Sequence, residues 1–405
     1  MKILQVIPYF PPAYAFGGPV KVVYEVSREL IRRGHEIVVY TTDAKDFNSR
    51  LEIDSSNVTE RMEIYRFRNI SLALVKRLKL FITPQLTLSA RKEIRNFDII
   101  HLHEYRTFQN IVIHNYAHKY YVPYILQAHG SLPRIGAWPK LKQFYDVLFG
   151  YKLLKDAAKV IALSHTEAEQ YKAMGVPEEK IAIIPNGINL SEYVNLPSKG
   201  SFKKKFNIPE DKKLILYLGR IHRTKGIDFL VRAYAYLKNG IKYRDAILVI
   251  AGPDDGFLNK VKSLVCDLGV AGSVLFTGLL SEEDKIRAYV DSDVVVNVEP
   301  LNVYGLVPLE AAACSTPVIV SKSNAISEVV LNGKFGFSVE YGDVTTLASI
   351  LYRVLTDEEL AENLGKNGRE YVLNNFGWSK IVEKYEQVYI DVINCKRQYT
   401  RILEK

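Results

Sequence analysis

The segment that decides the fold runs Asp293-Val-Val-Val-Asn-Val-Glu-Pro-Leu-Asn-Val-Tyr-Gly-Leu-Val-Pro-Leu-Glu-Ala-Ala-Ala-Cys-Ser-Thr-Pro-Val-Ile-Val320. An apolar strand is predicted over 294–298, followed by a loop, a short Ala-rich helix and a second apolar strand over 317–320. Strand, helix and strand in succession indicate two parallel strands joined by a crossover helix. Glu310 lies in the first turn of that helix, where core packing requires no carboxylate, so its presence is a question about function.

Strand-like apolar runs alternate with amphipathic helical segments along nearly the whole chain. In the first half, strands are predicted at 3–8, 36–41, 64–67, 99–103, 124–129, 159–163 and 181–184. In the second half, they are predicted at 214–219, 247–251, 274–277, 294–298, 317–320 and 336–339. A helix is predicted over 20–33, where apolar residues recur at helical spacing and Gly34 follows. The alternation is typical of an α/β fold with parallel sheets.

A polar, Lys-rich stretch over 190–213 separates the two series of strands. We therefore expect two doubly wound Rossmann-like domains, 1–195 and 196–378, with a helical segment over 379–405 that packs back onto the first domain. Open α/β sheets bind ligands at the carboxyl ends of their strands. If the two sheets face each other, a cleft between those ends is the expected binding site.

The composition of the 405 residues describes a globular protein with a formal net charge of +9. That charge favours an anionic partner, and nucleic acid, anionic lipid and phosphorylated small molecules all qualify. The three cysteines, Cys266, Cys314 and Cys395, lack CxxC spacing and are expected to be reduced thiols. No signal peptide or window of about 18 apolar residues is found. The expected location is the cytoplasm, with attachment to the membrane face left open.

Two Gly-containing loops follow the first strands of the two series. Gly17 and Gly18 precede the helix over 20–33, whose first amide groups could receive an anion. A flexible turn is the alternative there. In the second loop, after Gly219, Arg220 and Lys225 are placed to bind a diphosphate, and a solvated basic loop is the alternative.

His129 ends the predicted strand over 124–129 and is followed by Gly130. It could bind a ligand hydroxyl or transfer a proton, or it could be a structural histidine bound to a backbone carbonyl. His101 and His103 end another strand in the same way and are weaker candidates.

Metal sites are not favoured. Asp291-Ser-Asp293 resembles a metal-binding DxD motif, but it precedes a strand, at the amino end of the sheet, where helix capping or solvation is the better interpretation. His114 and His118 have i, i+4 spacing without the Glu of a zinc protease.

Two segments combine basic and apolar residues, as an interfacial helix on anionic lipid requires. Packing of an amphipathic helix on the sheet is the alternative for both. Nucleic-acid binding is less favoured, because no recognition motif accompanies the charge. The first segment holds Lys76, Arg77, Lys79, Arg91 and Lys92 beside Leu78, Leu80, Phe81 and Ile82; the second, 132–155, holds Arg134, Lys140, Lys142, Lys152 and Lys155 among aromatic residues that include Trp138, Phe144, Phe149 and Tyr151.

With these residues, the chain resembles the retaining glycosyltransferases of the GT-B fold, family 4. The resemblance runs nearly end to end and rests on motifs in family order. They are the Gly17-Gly18 loop, Arg33-Gly-His-Glu36, Asp98-Ile-Ile-His-Leu-His103, Gln127-Ala-His-Gly130, Ile184-Pro-Asn-Gly-Ile-Asn189, Gly219-Arg220, Lys225-Gly226, Ala251-Gly252, Phe276-Thr-Gly278 and Gly305-Leu-Val-Pro-Leu-Glu310.

The resemblance implies a role for each matched position. Glu310 would bind the ribose hydroxyls of a UDP- or GDP-sugar donor, and His129 would contact the transferred sugar. Arg220 and Lys225 would bind the diphosphate, and no metal or other cofactor would be needed. Backbone amides at Gly305, Leu306 and Val307 and the Gly17-Gly18 loop would assist, while Phe276 and Gly278 would border the base.

The chain departs from the family pattern at two positions. The first Glu of the pattern is replaced by Asn302, and a Gly after Ala-Cys is replaced by Ser315. Glu299 is nearby, but its three-residue offset makes it a doubtful substitute. In relatives the missing carboxylate contacts the donor sugar, so Asn302 bears on sugar specificity.

The leading hypothesis is transfer of a hexose-type sugar to a glycan or lipid-linked acceptor in surface polysaccharide, glycolipid or glycan biosynthesis. A donor-binding subunit with weakened catalysis is the alternative, and a sugar-nucleotide epimerase is disfavoured by the order of the motifs. Base, sugar, acceptor, linkage and oligomeric state stay open from the residues alone.

Overall fold

The computed structural model describes residues 1–52, 57–59, 61–135, 138–300 and 304–403, with backbone only for 57–59 and 397–403. The chain divides into two compact units, one formed by 1–186 and 378–405 and the other by 187–377. Each unit is a parallel α/β sheet with its own hydrophobic core. The prediction of two doubly wound α/β domains is confirmed.

The first unit contains an eight-stranded sheet with the order β3-β4-β2-β1-β5-β6-β7-β8. All neighbouring strands of this sheet are parallel except β3 and β4, which are antiparallel. Strand β3 was not predicted. The strands are β1 (Lys2–Val6), β2 (Glu36–Thr42), β3 (Asn57–Thr59), β4 (Met62–Phe67), β5 (Ile99–His103), β6 (Tyr124–Gln127), β7 (Lys159–Ala162) and β8 (Ile181–Ile183).

Helices cover both faces of this sheet. The first begins at Gly18 with Pro19 in its opening turn, where the missing amide hydrogen of proline has no helical partner to lose. Its apolar positions face the core, and the left-handed Gly34 (φ 86°) follows its end. The helices are α1 (Gly18–Arg32), α2 (Leu72–Leu78), α3 (Gln85–Glu93), α4 (Phe108–Lys119), α5 (Pro139–Tyr145), α6 (Tyr151–Asp156) and α7 (His165–Ala173).

The second unit contains a six-stranded parallel sheet with the order β11-β10-β9-β12-β13-β14. Its strands are β9 (Lys213–Leu218), β10 (Ala246–Ala251), β11 (Val274–Gly278), β12 (Val294–Asn297), β13 (Val318–Ser321) and β14 (Gly336–Val339). Its helices are α8 (Ser201–Lys205), α9 (Ile227–Asn239), α10 (Leu258–Asp267), α11 (Glu282–Asp291), α12 (Val307–Ala313), α13 (Ser327–Asn332), α14 (Val344–Thr356) and α15 (Glu358–Asn375).

The boundary between the units lies after Asn186, so the predicted boundary at 195 falls inside the second unit. The reason is that the residues after Asn186 pack there. The amide of Ile188 donates to the carbonyl of Phe376, and the carbonyl of the buried Tyr193 accepts from Arg369. These contacts hold the segment after Asn186 against the core of the second unit.

The last helix, α16 (Trp378–Leu403), returns to the first unit and packs against α1. Tyr385 donates to Gln127 of β6, and Tyr389 bonds to His101 of β5. Since those partners lie on central strands, α16 is part of the first core. None of the helices described has the length and apolarity to cross a membrane.

The order of strands reverses between β1 and β5 in the first sheet and between β9 and β12 in the second. Such a reversal leaves a crevice outside the carboxyl ends of the strands, where ligands bind in open α/β sheets. The loops after these four strands carry Gly17, Gly18, Arg220, Lys225 and the residues that lead to Glu310, while His129 follows β6 and Phe276 and Gly278 end β11.

Candidate active site

The loop after β9 and the loop after β12 pack tightly against each other at the switch point of the second sheet. Gly226 holds a left-handed conformation (φ 68°), and a Cβ there would lie 2.0 Å from the carbonyl oxygen of Val298. Only glycine fits such an approach. The close contact brings Lys225 beside the residues that follow β12.

Arg220 and Lys225, the two cations predicted to bind a diphosphate, each have a carboxylate partner. Arg220 is exposed and lies 2.6 Å from Asp255. The Nζ of Lys225 lies 2.7 Å from Oε2 of Glu299, and the two side chains are 18% and 6% exposed. Sequence reasoning treated Glu299 as a doubtful substitute for a ligand-binding Glu and missed its pairing with Lys225.

Glu310 is buried at the start of α12, where two side chains of α11 bind its carboxylate. Tyr289 donates its hydroxyl at 2.7 Å, and the Nζ of Lys285 lies 3.4 Å away. Burial opposes the charge of Lys285, but the carboxylates of Glu310 and Glu282 raise its pKa overall. Sequence analysis missed both partners, because they lie on a different helix, 21 and 25 residues from Glu310 along the chain. The predicted ribose contact of Glu310 stays a prediction.

The other residues predicted to contact the nucleotide-sugar donor lie on the same edge of the second sheet. Phe276 and Gly278 end β11, and the Gly278 carbonyl accepts from the amide of Gly252. Gly219 follows β9, while Gly305, Leu306 and Val307 lead into α12. Asn302 lies outside the described residues.

In the first unit, Gly17 (φ 98°) and Gly18 open α1, and both positions are exposed. A Cβ at either glycine would contact nothing within 4 Å, so neither is required by packing. The loop is on the edge where β1 ends, as predicted from the sequence.

His129 follows β6 in a left-handed conformation (φ 51°) and is joined to a buried histidine. His103 Nε2 lies 2.7 Å from Gln5 Oε1, and its Nδ1 lies 2.9 Å from His129 Nε2. Because burial lowers the pKa of both histidines, that of His129 to about 3, both rings are neutral. The Gln5 oxygen can only accept, so His103 Nε2 donates to it and His103 Nδ1 accepts from His129. His129 Nδ1 is then left as a bare acceptor.

The structure therefore groups the predicted residues into two sets. His129, Gly17 and Gly18 lie at the carboxyl edge of the first sheet. Arg220, Lys225 and Glu310 lie at the carboxyl edge of the second.

The DxD residues have structural partners. Asp291 is buried and accepts from the amides of Gly200, Phe202 and Lys203, which caps α8. Asp293 accepts from the amide of Leu214. His114 lies 3.0 Å from Asp156. Within the described ranges, no three His, Cys, Asp or Glu side chains are grouped as metal ligands.

The two basic, apolar segments differ. In the first, Val75 and Phe81 are buried in a small cluster with Ala44, which is ordinary packing. In the second, α5 has no buried residue, and Trp138 is 59% exposed. We call the large apolar side chains exposed on this segment the apolar surface: Ile135, Trp138, Leu141, Phe144, Val147, Leu148, Phe149 and Tyr151.

Asp146 anchors the apolar surface to the first unit. Its carboxylate is fully buried and accepts hydrogen bonds from Arg106 and Arg134, all at 2.8 Å. It is the only acidic residue between Arg134 and Lys155, so the exposed charges of this segment are positive.

Comparison with known proteins identifies both halves of the chain. Residues 16–192 match the family described as Glycosyltransferase Family 4, and residues 198–371 match Glycosyl transferases group 1. An uncharacterized glycosyltransferase of Methanocaldococcus jannaschii is 29% identical over 96% of this chain and 98% of its own length. The N-acetyl-alpha-D-glucosaminyl L-malate synthase of Bacillus anthracis is 27% identical over 97% of this chain and 98% of its own.

A solved structure of Anabaena HepE in complex with UDP shares the fold, with a TM-score of 0.78 and 17% identity. The match covers 96% of this chain and 100% of that one. Such a likeness defines the fold as GT-B.

Proposed function

Since the chain belongs to the family 4 glycosyltransferases of the GT-B fold, we propose that it moves a hexose-type sugar from a UDP- or GDP-sugar to a glycan or lipid-linked acceptor, with retention. Surface polysaccharide, glycolipid or glycan biosynthesis in the cytoplasm is the proposed setting. The observation that carries the proposal is the group at one edge of the second sheet, where Arg220, Lys225 and Glu310 follow strands on both sides of the switch point.

The proposed reaction breaks the bond between the sugar C1 and the diphosphate and forms one from C1 to an acceptor oxygen. The acceptor proton passes to the departing phosphate on the same face, so no enzymic base is needed. Arg220 and Lys225 stabilise the charge that grows on the diphosphate, which lowers the barrier selectively in the transition state. In this proposal the reaction uses no metal or organic cofactor.

Lys225 can serve this role only by leaving or sharing its present partner. Glu299 holds the ammonium 2.7 Å away, and an incoming diphosphate would compete with that carboxylate. The fixed position of the Lys225 ammonium is an advantage for catalysis. A cation that is already held in place needs little reorganisation when negative charge develops on the diphosphate.

Glu310 is proposed to accept hydrogen bonds from the ribose hydroxyls. Tyr289 and Lys285 hold its carboxylate in place, and a carboxylate has more acceptor positions than these two donors use. His129 is proposed to contact the transferred sugar, with its bare Nδ1 accepting from a sugar hydroxyl.

The test begins with thermal shifts in UDP, GDP and a panel of their sugars, because a ligand that binds the native state raises the midpoint. Nucleotide release is then measured for Glu310→Ala and Lys225→Ala. Removal of one group that stabilises the transition state typically reduces the rate about 100-fold or more. Lys322→Ala is a matched control, since that lysine also pairs with a carboxylate, Glu340, at 3.0 Å in the second unit.

Unchanged turnover in both alanine variants would contradict the assigned roles. Binding without turnover, across a broad acceptor panel, would identify the alternative, a donor-binding subunit with weakened catalysis. Asn302→Glu tests donor choice, since a shift in sugar preference would make position 302 a specificity residue.

An anionic membrane surface is a second proposed partner, and it would keep the enzyme on the cytoplasmic face. The apolar surface carries aromatic and aliphatic side chains beside Lys140, Lys142 and Lys152, the combination that binds anionic lipid. Nucleic acid is not among the proposed partners.

Sedimentation with vesicles of phosphatidylglycerol and phosphatidylcholine tests the membrane proposal. Leu141→Ser with Phe144→Ser should weaken binding at least tenfold, whereas Leu88→Ser, an exposed leucine of α3, should not. Equal sedimentation of all variants, or none by the wild type at low salt, would contradict the proposal.

A further inference from the structure

Glu104 is a carboxylate at the switch point of the first sheet that the proposed donor chemistry does not use. It directly follows β5, beside the loop that follows β1. From that loop, Tyr9 donates its hydroxyl to Oε1 of Glu104 at 2.5 Å. The residue is half-buried at the edge of the sheet.

The backbone at Glu104 is held in an unusual conformation. Its φ is 64°, in the left-handed region that residues with a Cβ rarely adopt. Asn110 fixes the turn, because its side-chain amide donates to the carbonyl of Glu104 at 2.7 Å. Strained conformations of this kind persist where surrounding contacts enforce them, and they are concentrated at ligand sites.

The positive charge of Lys79 acts on the Glu104 carboxylate without a direct contact and favours its ionised form. Among the described side chains, none forms an ion pair with Glu104 within 4.0 Å. Burial raises its pKa, although the hydrogen bond from Tyr9 opposes the shift. A half-buried carboxylate with hydroxyl partners is suited to further hydroxyl donors and unsuited to a second anion.

Glu104 also lies in the same loop cluster as His129. Ser131, two residues beyond His129, accepts from the amide of Tyr105, the neighbour of Glu104. The loops after β5 and β6 are thus joined at the edge where the transferred sugar is proposed to meet its acceptor.

We propose that Glu104 binds hydroxyl groups of the acceptor, and that the acceptor end this chain recognises is an uncharged saccharide. This inference rests on the proposed transferase function and narrows its acceptor class. A phosphate or carboxylate on the acceptor close to Glu104 meets like charge in a half-buried site, which disfavours its binding. Vicinal sugar hydroxyls instead donate to both carboxylate oxygens.

The competing explanation is that the Tyr9–Glu104 hydrogen bond is structural only. The chain contains a matched pair for comparison, since Tyr65 donates to Glu63 on β4 in the same sheet. Glu63→Gln is therefore the control for Glu104→Gln, because each change removes one negative charge from a tyrosine-bound carboxylate.

The test uses an array of immobilised neutral oligosaccharides with their phosphorylated and uronic-acid counterparts. The full-length chain is applied alone to measure binding, and again with the donor identified by thermal shift to measure transfer. We expect the wild type to select neutral saccharides, and Glu104→Gln to lower the ratio of neutral to anionic signal at least tenfold. Glu63→Gln should leave that ratio unchanged. The ratio is insensitive to partial unfolding, which lowers both signals together.

An array on which only anionic saccharides, or none, are bound or labelled overturns the inference. So does an unchanged ratio in Glu104→Gln. Failure of the transferase proposal would give a different result from failure of the Glu104 inference. In that case no donor would release its nucleotide, while neutral saccharides would still bind through Glu104.

Discussion

Replacing Glu299 by Gln is expected to destabilise the second unit while strengthening its binding of UDP. The two charges lie 2.7 Å apart. At an effective dielectric constant near 20, such a pair attracts by about 6 kcal/mol, much of which is offset by desolvation of both groups. Removing one partner leaves the other largely buried and unpaired. A loss of about 3 kcal/mol in the free energy of unfolding is therefore expected.

The gain in nucleotide affinity follows from the same contact. If Lys225 binds the diphosphate as proposed, a diphosphate in the wild type must compete with the Glu299 carboxylate for Lys225 and also approaches that negative charge. Glutamine removes both obstacles. A tenfold tighter binding of UDP corresponds to about 1.4 kcal/mol.

The assay is urea denaturation with and without UDP for Glu299→Gln, Lys225→Met and the double variant. The wild type, the two single variants and the double variant form a double-mutant cycle. Because each single change removes the same contact, the cycle gives the interaction free energy between Lys225 and Glu299. UDP should stabilise Glu299→Gln more than the wild type and Lys225→Met less. The reasoning is refuted if the cycle gives less than about 0.5 kcal/mol, or if UDP binds Glu299→Gln more weakly than the wild type.

Three further changes have defined outcomes. Ser315→Gly should raise the melting temperature by relieving about 1 kcal/mol of strain, since Ser315 is exposed and holds a left-handed conformation at φ 62°; scanning calorimetry measures the change. Asp146→Asn should lower the free energy of unfolding in urea by about 3 kcal/mol or more, because two arginines lose their buried partner. Burial holds the pKa of three native histidines below the usual 6.5, so the native state binds fewer protons than the unfolded state and the free energy of unfolding falls as the pH drops below 6.5. The slope below the pKa of the unfolded state should be about 1.4 kcal/mol per pH unit for each histidine, and urea denaturation at a series of pH values measures it. The three histidines are His101, His103 and His129.

The strands of both sheets were predictable because buried parallel strands are continuous apolar runs. The motif Ile99–His103 shows the limit of that signal, since its two histidines could have been ligands or core residues. The structure resolves this for His103, whose partners are Gln5 on β1 and His129 in the loop after β6. Contacts between residues distant in sequence depend on the register of neighbouring strands. That register cannot be deduced from the residues of one strand alone.

The same limit explains what the site analysis missed. The pairing of Lys225 with Glu299 depends on the close packing of Gly226 against Val298, and no spacing rule relates these two loops. The amphipathic pattern over 132–155 left packing and lipid binding equally open. Exposure argues against packing on the sheet for α5, which buries none of its side chains, while lipid binding stays a proposal.

The position of a carboxylate relative to the strands determines which partners it has. At the amino edge of the second sheet, Asp291 is bound by three backbone amides, a fixed set that no ligand could replace without unfolding α8. At the carboxyl edge, Glu299 and Glu310 are bound by lysine and tyrosine side chains, which can change rotamer. Backbone amides cannot move away from an aspartate without unfolding the helix, whereas a lysine side chain can turn from a carboxylate to a phosphate. Carboxylates with exchangeable partners at the end of a parallel strand are therefore better candidates for ligand binding than a DxD motif at its beginning.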